Sequence, residues 1–247
     1  MANQWGGQIV LAESGLAPLG AAQGVYDEAG NVTGISVGDQ IFIIADYAAT
    51  LFANLPDPTT VQAGVPHYVS DVGVGGSQWY SDGVRWRALG GTVALKNNYT
   101  DANTVANTNE QILDQFLIPA GLIKAGDIVR VKNRNDKSST VDTCTTRLRL
   151  GTAGTVADAN ISQTAQPATT SRTLYLLKEF VFVSATSVRR ATAETAASTG
   201  ASTVISADVT VSNISNALYL SLTTQMTTGA ETMTLKDFIV ELDTCGN

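Results

Sequence analysis

The chain has 247 residues, enough for one large domain or two modest ones, and its apolar fraction of 44% supplies a sizeable core. Charged residues make up only 15% and the net charge is −7, which argues against nucleic acid as the main partner, because phosphate binding rests on Lys and Arg. Polarity comes instead from Thr, Ser, Asn and Gln, a bias that suits strands and turns.

Residues 1–24 are rich in Gly and Ala with little periodicity, and read as either a flexible tail or an N-terminal arm that orders against a neighbour. Trp5, followed by two glycines, favours an arm over a self-contained core; Trp5, Gln8 and Ile9 are its candidate anchoring residues. The opening stretch lacks the basic and apolar regions of a signal peptide, so secretion by that route is not expected. Residues 25–34 read as a hairpin around Ala29-Gly30-Asn31. Residues 40–45 read as a strand whose continuous apolarity demands cover on both faces. Residues 47–54 fit two helical turns stopped by Pro56 and Pro58. The apolar run 41–55 is interrupted by Asp46 and Asn54 and is too short to span a bilayer.

Residues 55–91 hold Trp79, Trp86, the sole histidine (His67) and half of the prolines. Within them, 65–70 alternate as a strand and 73–77 (GVGGS) form a turn or loop. Residues 78–80 and 84–89 flank Ser81-Asp82-Gly83. An Asp-Gly pair between strands predicts a type I′ turn, which needs positive φ at both central residues. Trp79 and Trp86 then fall on opposite arms, where aromatic cross-strand pairing can pin the register. With the preceding strands this makes a small β domain over 25–91.

From Thr92 the character changes. Residues 92–110 read as an Asn/Thr-rich connector. Strands follow at 111–118, 127–132, 143–150, 173–183, 187–192, 203–212, 217–223 and 232–242, with loops of small polar residues at 151–170 and 195–202. Eight strands and no convincing helix predict an all-β chain ending in an antiparallel jelly-roll-like β-sandwich over 111–247.

Candidate chemistry is sparse. Cys144 alternates within a strand and reads as a small buried residue, and Cys144 with Cys245 makes neither a disulfide framework nor a metal spacing. His67 sits in a strand with no nucleophile-elbow serine anywhere in the chain. Asp71 and Asp82 flank the hairpin near Trp79, Tyr80 and Trp86, the ingredients of a glycan-cleaving site, yet turn roles explain both. No cofactor or metal is expected. Residues 124–149 carry seven cations against three carboxylates. Arg130, Lys132, Arg134, Arg147 and Arg149 are therefore a candidate docking face for an acidic partner, with a solvated strand face as the plainer reading.

The segment Trp79-Tyr80-Ser81-Asp82-Gly83-Val84-Arg85-Trp86 has the form W-x-S-D-G-x-x-W, preceded by Leu55-Pro56-Asp57-Pro58 and followed by Gly90-Gly91. It resembles modules in tailed-bacteriophage virion proteins of the fibre and capsid-decoration type, over roughly 40 residues. The resemblance implies a non-enzymatic virion protein assembled in the host cytoplasm, a homotrimer whose N-terminal part contacts capsid or tail components. The alternative it leaves open is a receptor- or glycan-binding module of the adsorption apparatus that touches a host surface glycan. Neither reading involves nucleic acid or membrane insertion.

Overall fold

The computed structural model describes residues 23–26, 32–37, 40–43, 50–138, 141–166, 173–190, 194–195 and 207–244. The arm residues Trp5, Gln8 and Ile9 and the second cysteine, Cys245, lie outside them. Every regular element among the described residues is a strand, apart from one 3-10 turn at Phe52–Asn54.

Strands β1 (Gln23–Tyr26), β2 (Val32–Val37) and β3 (Gln40–Ile43) form an antiparallel meander, the hairpin-plus-strand expected from 25–45. A second three-stranded sheet joins β4 (Pro66–Val69), β5 (Ser77–Ser81) and β6 (Trp86–Ala88) in sequence order.

The rest is a sandwich built from β7 (Thr92–Asn98), β8 (Ala102–Asn103), β9 (Gln111–Ile118), β10 (Ile128–Lys137), β11 (Cys144–Gly151), β12 (Ala159–Gln166), β13 (Thr173–Ser184), β14 (Ser187–Arg190), β15 (Glu194–Thr195), β16 (Ala207–Thr210), β17 (Leu218–Met226) and β18 (Met233–Asp243). One sheet runs β13-β10-β18-β7, the other β12-β11-β17-β9. The pairs β7–β18, β9–β17, β10–β13 and β11–β12 are nested, as in one long hairpin whose tip is the β11–β12 turn. Rolled up, such a hairpin places successive pairs in alternate sheets, and this is the jelly-roll order. Strands β14 and β16 widen the first sheet beyond β13, and β15 adds a short parallel pair to β12.

Period-two alternation fills the space between the sheets. Val129 and Val131 of β10, Phe180 and Phe182 of β13, and Phe238, Val240 and Leu242 of β18 point in from one side. Leu148 and Leu150 of β11 and Leu218, Leu220 and Leu222 of β17 meet them from the other. At the far end polar residues take inward positions on β10 (Asn133, Asn135, Lys137) and on β11, β12 and β17 (Thr146, Thr164, Thr224), while β13 and β18 stay apolar with Leu174, Leu176, Met233 and Leu235.

Three expectations change. The connector 92–110 contains β7, a full partner of β18, because Val93 and Leu95 alternate into the core beneath an Asn-rich exterior. The polar loop 151–170 contains β12; its buried residues are Ile161, Ser162, Thr164 and Gln166, and one apolar side chain among polar ones makes no alternating pattern although the strand is central to the fold. The β4–β6 sheet is not a separate domain from the sandwich. Trp79, Trp86, Val93, Leu95 and Leu242 belong to one continuous core.

Candidate functional site

The hairpin module and its junction with the sandwich gather the residues singled out in the sequence. Asp82 and Gly83 do open the turn, but Ser81 pairs directly with Trp86, so the loop holds four residues rather than the two of a type I′ turn. The reason is the Asp82 carboxylate. Its Oδ1 accepts the amides of Val84 (2.9 Å) and Arg85 (2.8 Å), curling the loop around itself. Gly83 takes φ +90° within it. The Asp82 Oδ2 accepts from Arg87 Nε. Burial works against the charged carboxylate, but the Arg85 amide, the Arg87 guanidinium and the Val84 amide outweigh it, and Asp82 is lowered to about 2. An acid that strong stays ionised at neutral pH and has no proton to donate.

Trp79 and Trp86 do not form the expected cross-strand pair. Trp79 lies opposite Ala88 and Trp86 opposite Ser81, two rungs apart on one buried face. Each ring instead packs edge-on against another partner: Trp79 on Phe52 (5.2 Å between centroids) and Trp86 on His67 (4.8 Å). Both indole N–H groups donate within the module, to Ser77 Oγ and Pro56 O. With exposures of 0% and 8%, neither offers a flat face to a sugar. His67 has a packing role on β4, and Asp71 Oδ1 accepts the Phe52 amide. Tyr80, half-buried on the opposite face, borders a hollow of about 230 Å³ with Arg87 and Thr244.

Nothing in the residue pattern announces the contact that joins the module to the sandwich. Arg85 Nη2 donates to both carboxylate oxygens of Asp127, at 2.6 and 2.8 Å, in a buried setting. Burial pushes the Asp127 carboxyl up, while the Lys124 amide and the Arg85 guanidinium draw it toward the charged form. Arg87 Nη1 reaches Thr244 O (2.6 Å), and the Val74 amide bonds Ala94 O (2.9 Å). Beside this junction lies an open cleft of about 360 Å³, bordered by Phe52, Pro56, Pro58, Trp86, Leu122 and Lys124.

Comparison with protein-family models, with curated proteins and with solved structures finds no match.

The basic docking face is not one surface. Arg130, Lys132 and Arg134 project from β10 on the outside of the first sheet, where Glu179 and Asp243, Glu241, and Asp237 pair with them in turn. Arg147 and Arg149 project from β11 on the opposite outer face and converge on Glu110, which also accepts from Thr223 Oγ1. The positive run along the chain is thus split between two faces, paired one by one with distant carboxylates on the first and sharing the single carboxylate of Glu110 on the second. Tyr175 and Leu177, 56% and 55% exposed, stand on β13 beside the first ladder. Among the described residues no group of three His, Cys, Asp or Glu side chains is placed to hold a metal, and no helix is long and apolar enough to cross a membrane.

Proposed function

We propose that this chain is a non-enzymatic structural protein of a tailed-bacteriophage virion, a homotrimeric surface appendage of the fibre or capsid-decoration kind, anchored by its N-terminal part. The observation that carries the reading is the joint between the W-x-S-D-G-x-x-W module and the jelly roll. They share one core and a buried Arg85–Asp127 pair, so a particle-bound N-terminus would hold the sandwich as a rigid projection. The jelly roll alone hosts many functions, so it adds only compatibility. The ion-paired outer face of the first sheet also supports the reading, since copies would meet there without exposing unpaired β10 cations to one another. The glycan-binding alternative, which would act through residues 151–170 and 195–202, has less behind it, because neither stretch carries an aromatic residue and both tryptophans of the module are buried.

The test is light scattering coupled to size-exclusion chromatography on the full chain, with native mass spectrometry alongside. Three copies per assembly are expected. A monomer across the accessible concentration range would overturn the homotrimer.

A further inference from the structure

The polar end of the sandwich interior is the feature that the proposed function leaves unused. On β10, Asn133 and Asn135 occupy the inward positions that Val129 and Val131 hold at the other end. Asn133 is 0% exposed, and neither its Oδ1 nor its Nδ2 has a hydrogen-bond partner among the described residues. The same holds for Asn135 Oδ1 and for Thr164 Oγ1. One bond crosses between the sheets here, from Asn135 Nδ2 to Thr146 Oγ1 at 3.3 Å. Thr146 lies directly opposite Thr164 on the neighbouring strand, which places all four residues in one patch.

Within the first sheet the direct neighbours of the patch are apolar, and buried Lys137 and Lys178 stand one inward position beyond it on β10 and β13. Leu176 and Phe238 flank Asn133 across the sheet, and Leu174 and Leu235 flank Asn135. Sandwich sheets stand roughly 10 Å apart, a gap that facing Leu and Phe side chains fill and facing Asn and Thr side chains do not. Leaving several buried amide and hydroxyl groups unpaired would consume much of a domain's margin of stability. The patch offers donors (Asn133 Nδ2, the Thr164 hydroxyl) together with acceptors (Asn133 and Asn135 Oδ1). A ligand that donates and accepts at once, as water does, matches both sets.

We infer that Asn133, Asn135, Thr146 and Thr164 form an internal hydration site, which holds ordered water between the two sheets. The water bridges the carboxamides of β10 to the hydroxyls of β11 and β12, so this half of the sandwich is cross-linked by hydrogen bonds where the other half is cross-linked by apolar packing.

Atomic-resolution crystallography of the full chain tests this first. Water within hydrogen-bond distance of both Asn133 Oδ1 and Nδ2 is expected. A side chain turned onto a protein partner, or density for a different solute, would overturn the site. Oxygen-17 relaxation dispersion on wild type and Asn133→Leu is the second measurement. The wild type should show long-lived internal water that the variant loses, together with a lower urea midpoint for the variant. An unchanged water signal, or a raised midpoint, would mean that Asn133 was a dry orphan whose removal helps. If the variant does not fold, the crystallographic result on the wild type decides.

Discussion

Asp142 and Glu231 brace each other's loops. The Asp142 carboxylate accepts the amides of Thr227, Thr228 and Gly229, at 2.9–3.1 Å, from the loop that leads to Glu231. Glu231 Oε1 in return accepts the amides of Val141 and Asp142. The turn between β10 and β11 and the turn between β17 and β18 are thereby locked together at the polar end of the sandwich. Burial opposes the charge on Asp142, yet the Thr228 amide and hydroxyl and the Gly229 and Ala230 amides hold its carboxyl below the usual range.

Removing that carboxylate should orphan several amides at once. Asp142→Ala is expected to lose about 3 kcal/mol, and Asp142→Asn, which keeps one acceptor oxygen, about half as much. Urea unfolding followed by fluorescence gives both numbers. Equal losses for the two variants would show that charge alone matters and that the acceptor geometry does not.

The Arg85–Asp127 pair makes a different prediction, because both partners are buried. Asp127→Leu or Arg85→Met leaves the other group uncompensated and should cost about 3–5 kcal/mol. The double variant Arg85→Met/Asp127→Leu should recover a large part of that loss. A double-mutant cycle measures the coupling; losses that simply add would mean the two side chains do not act as a pair.

Acid should weaken the hairpin module through Asp82. Its folded pKa is lowered to about 2 from an ordinary 3.8, so the unfolded chain takes up the proton first. The stabilisation is complete above roughly pH 4 and is lost as pH falls toward about 2, amounting to about 1–2 kcal/mol after solvent screening. Thermal unfolding of wild type and Asp82→Asn across that window should converge at the acid end. Parallel curves would remove Asp82 as the cause.

Cys144 should be chemically silent in the native state. It is fully buried, burial raises its pKa, and its Sγ lies 2.7 Å from Thr224 Oγ1. Alkylation at Cys144, located by peptide mapping, should proceed only at the rate of unfolding. Fast labelling in native buffer would mean that the β11–β17 region opens on its own.

Glycine positions in the module separate two kinds of constraint. Gly83 takes φ +90° with open space where a Cβ would stand, so Gly83→Ala should cost only the backbone strain, about 1 kcal/mol. At Gly76, φ is +85° and an added Cβ would fall 2.2 Å from Tyr68 Oη, whose hydroxyl donates to Gly75 O at 2.5 Å. Gly76→Ala should therefore lose clearly more than Gly83→Ala in the same unfolding experiment. Similar losses would show that Tyr68 gives way freely.

What the linear chain determined by itself was local. Apolar-rich runs bounded by turn residues announce β9, β13, β17 and β18 within a residue or two at one or both ends, because each buries apolar side chains against the core. Asp82-Gly83 announces a turn for the same kind of local reason. Strand β12 and the second half of β10 stayed hidden, since Thr164, Asn133 and Asn135 are polar residues on the inward face and their pattern resembles a loop. The fate of the basic run was equally out of reach. Arg130 and Arg149 lie 19 positions apart in the chain but on opposite outer faces, and Asp243 and Glu110, which neutralise them, come from far-off segments. The joint between Arg85 and Asp127 spans 42 positions. Pairings of that kind depend on which strands the rolled hairpin lays side by side, and only the tertiary structure decides that.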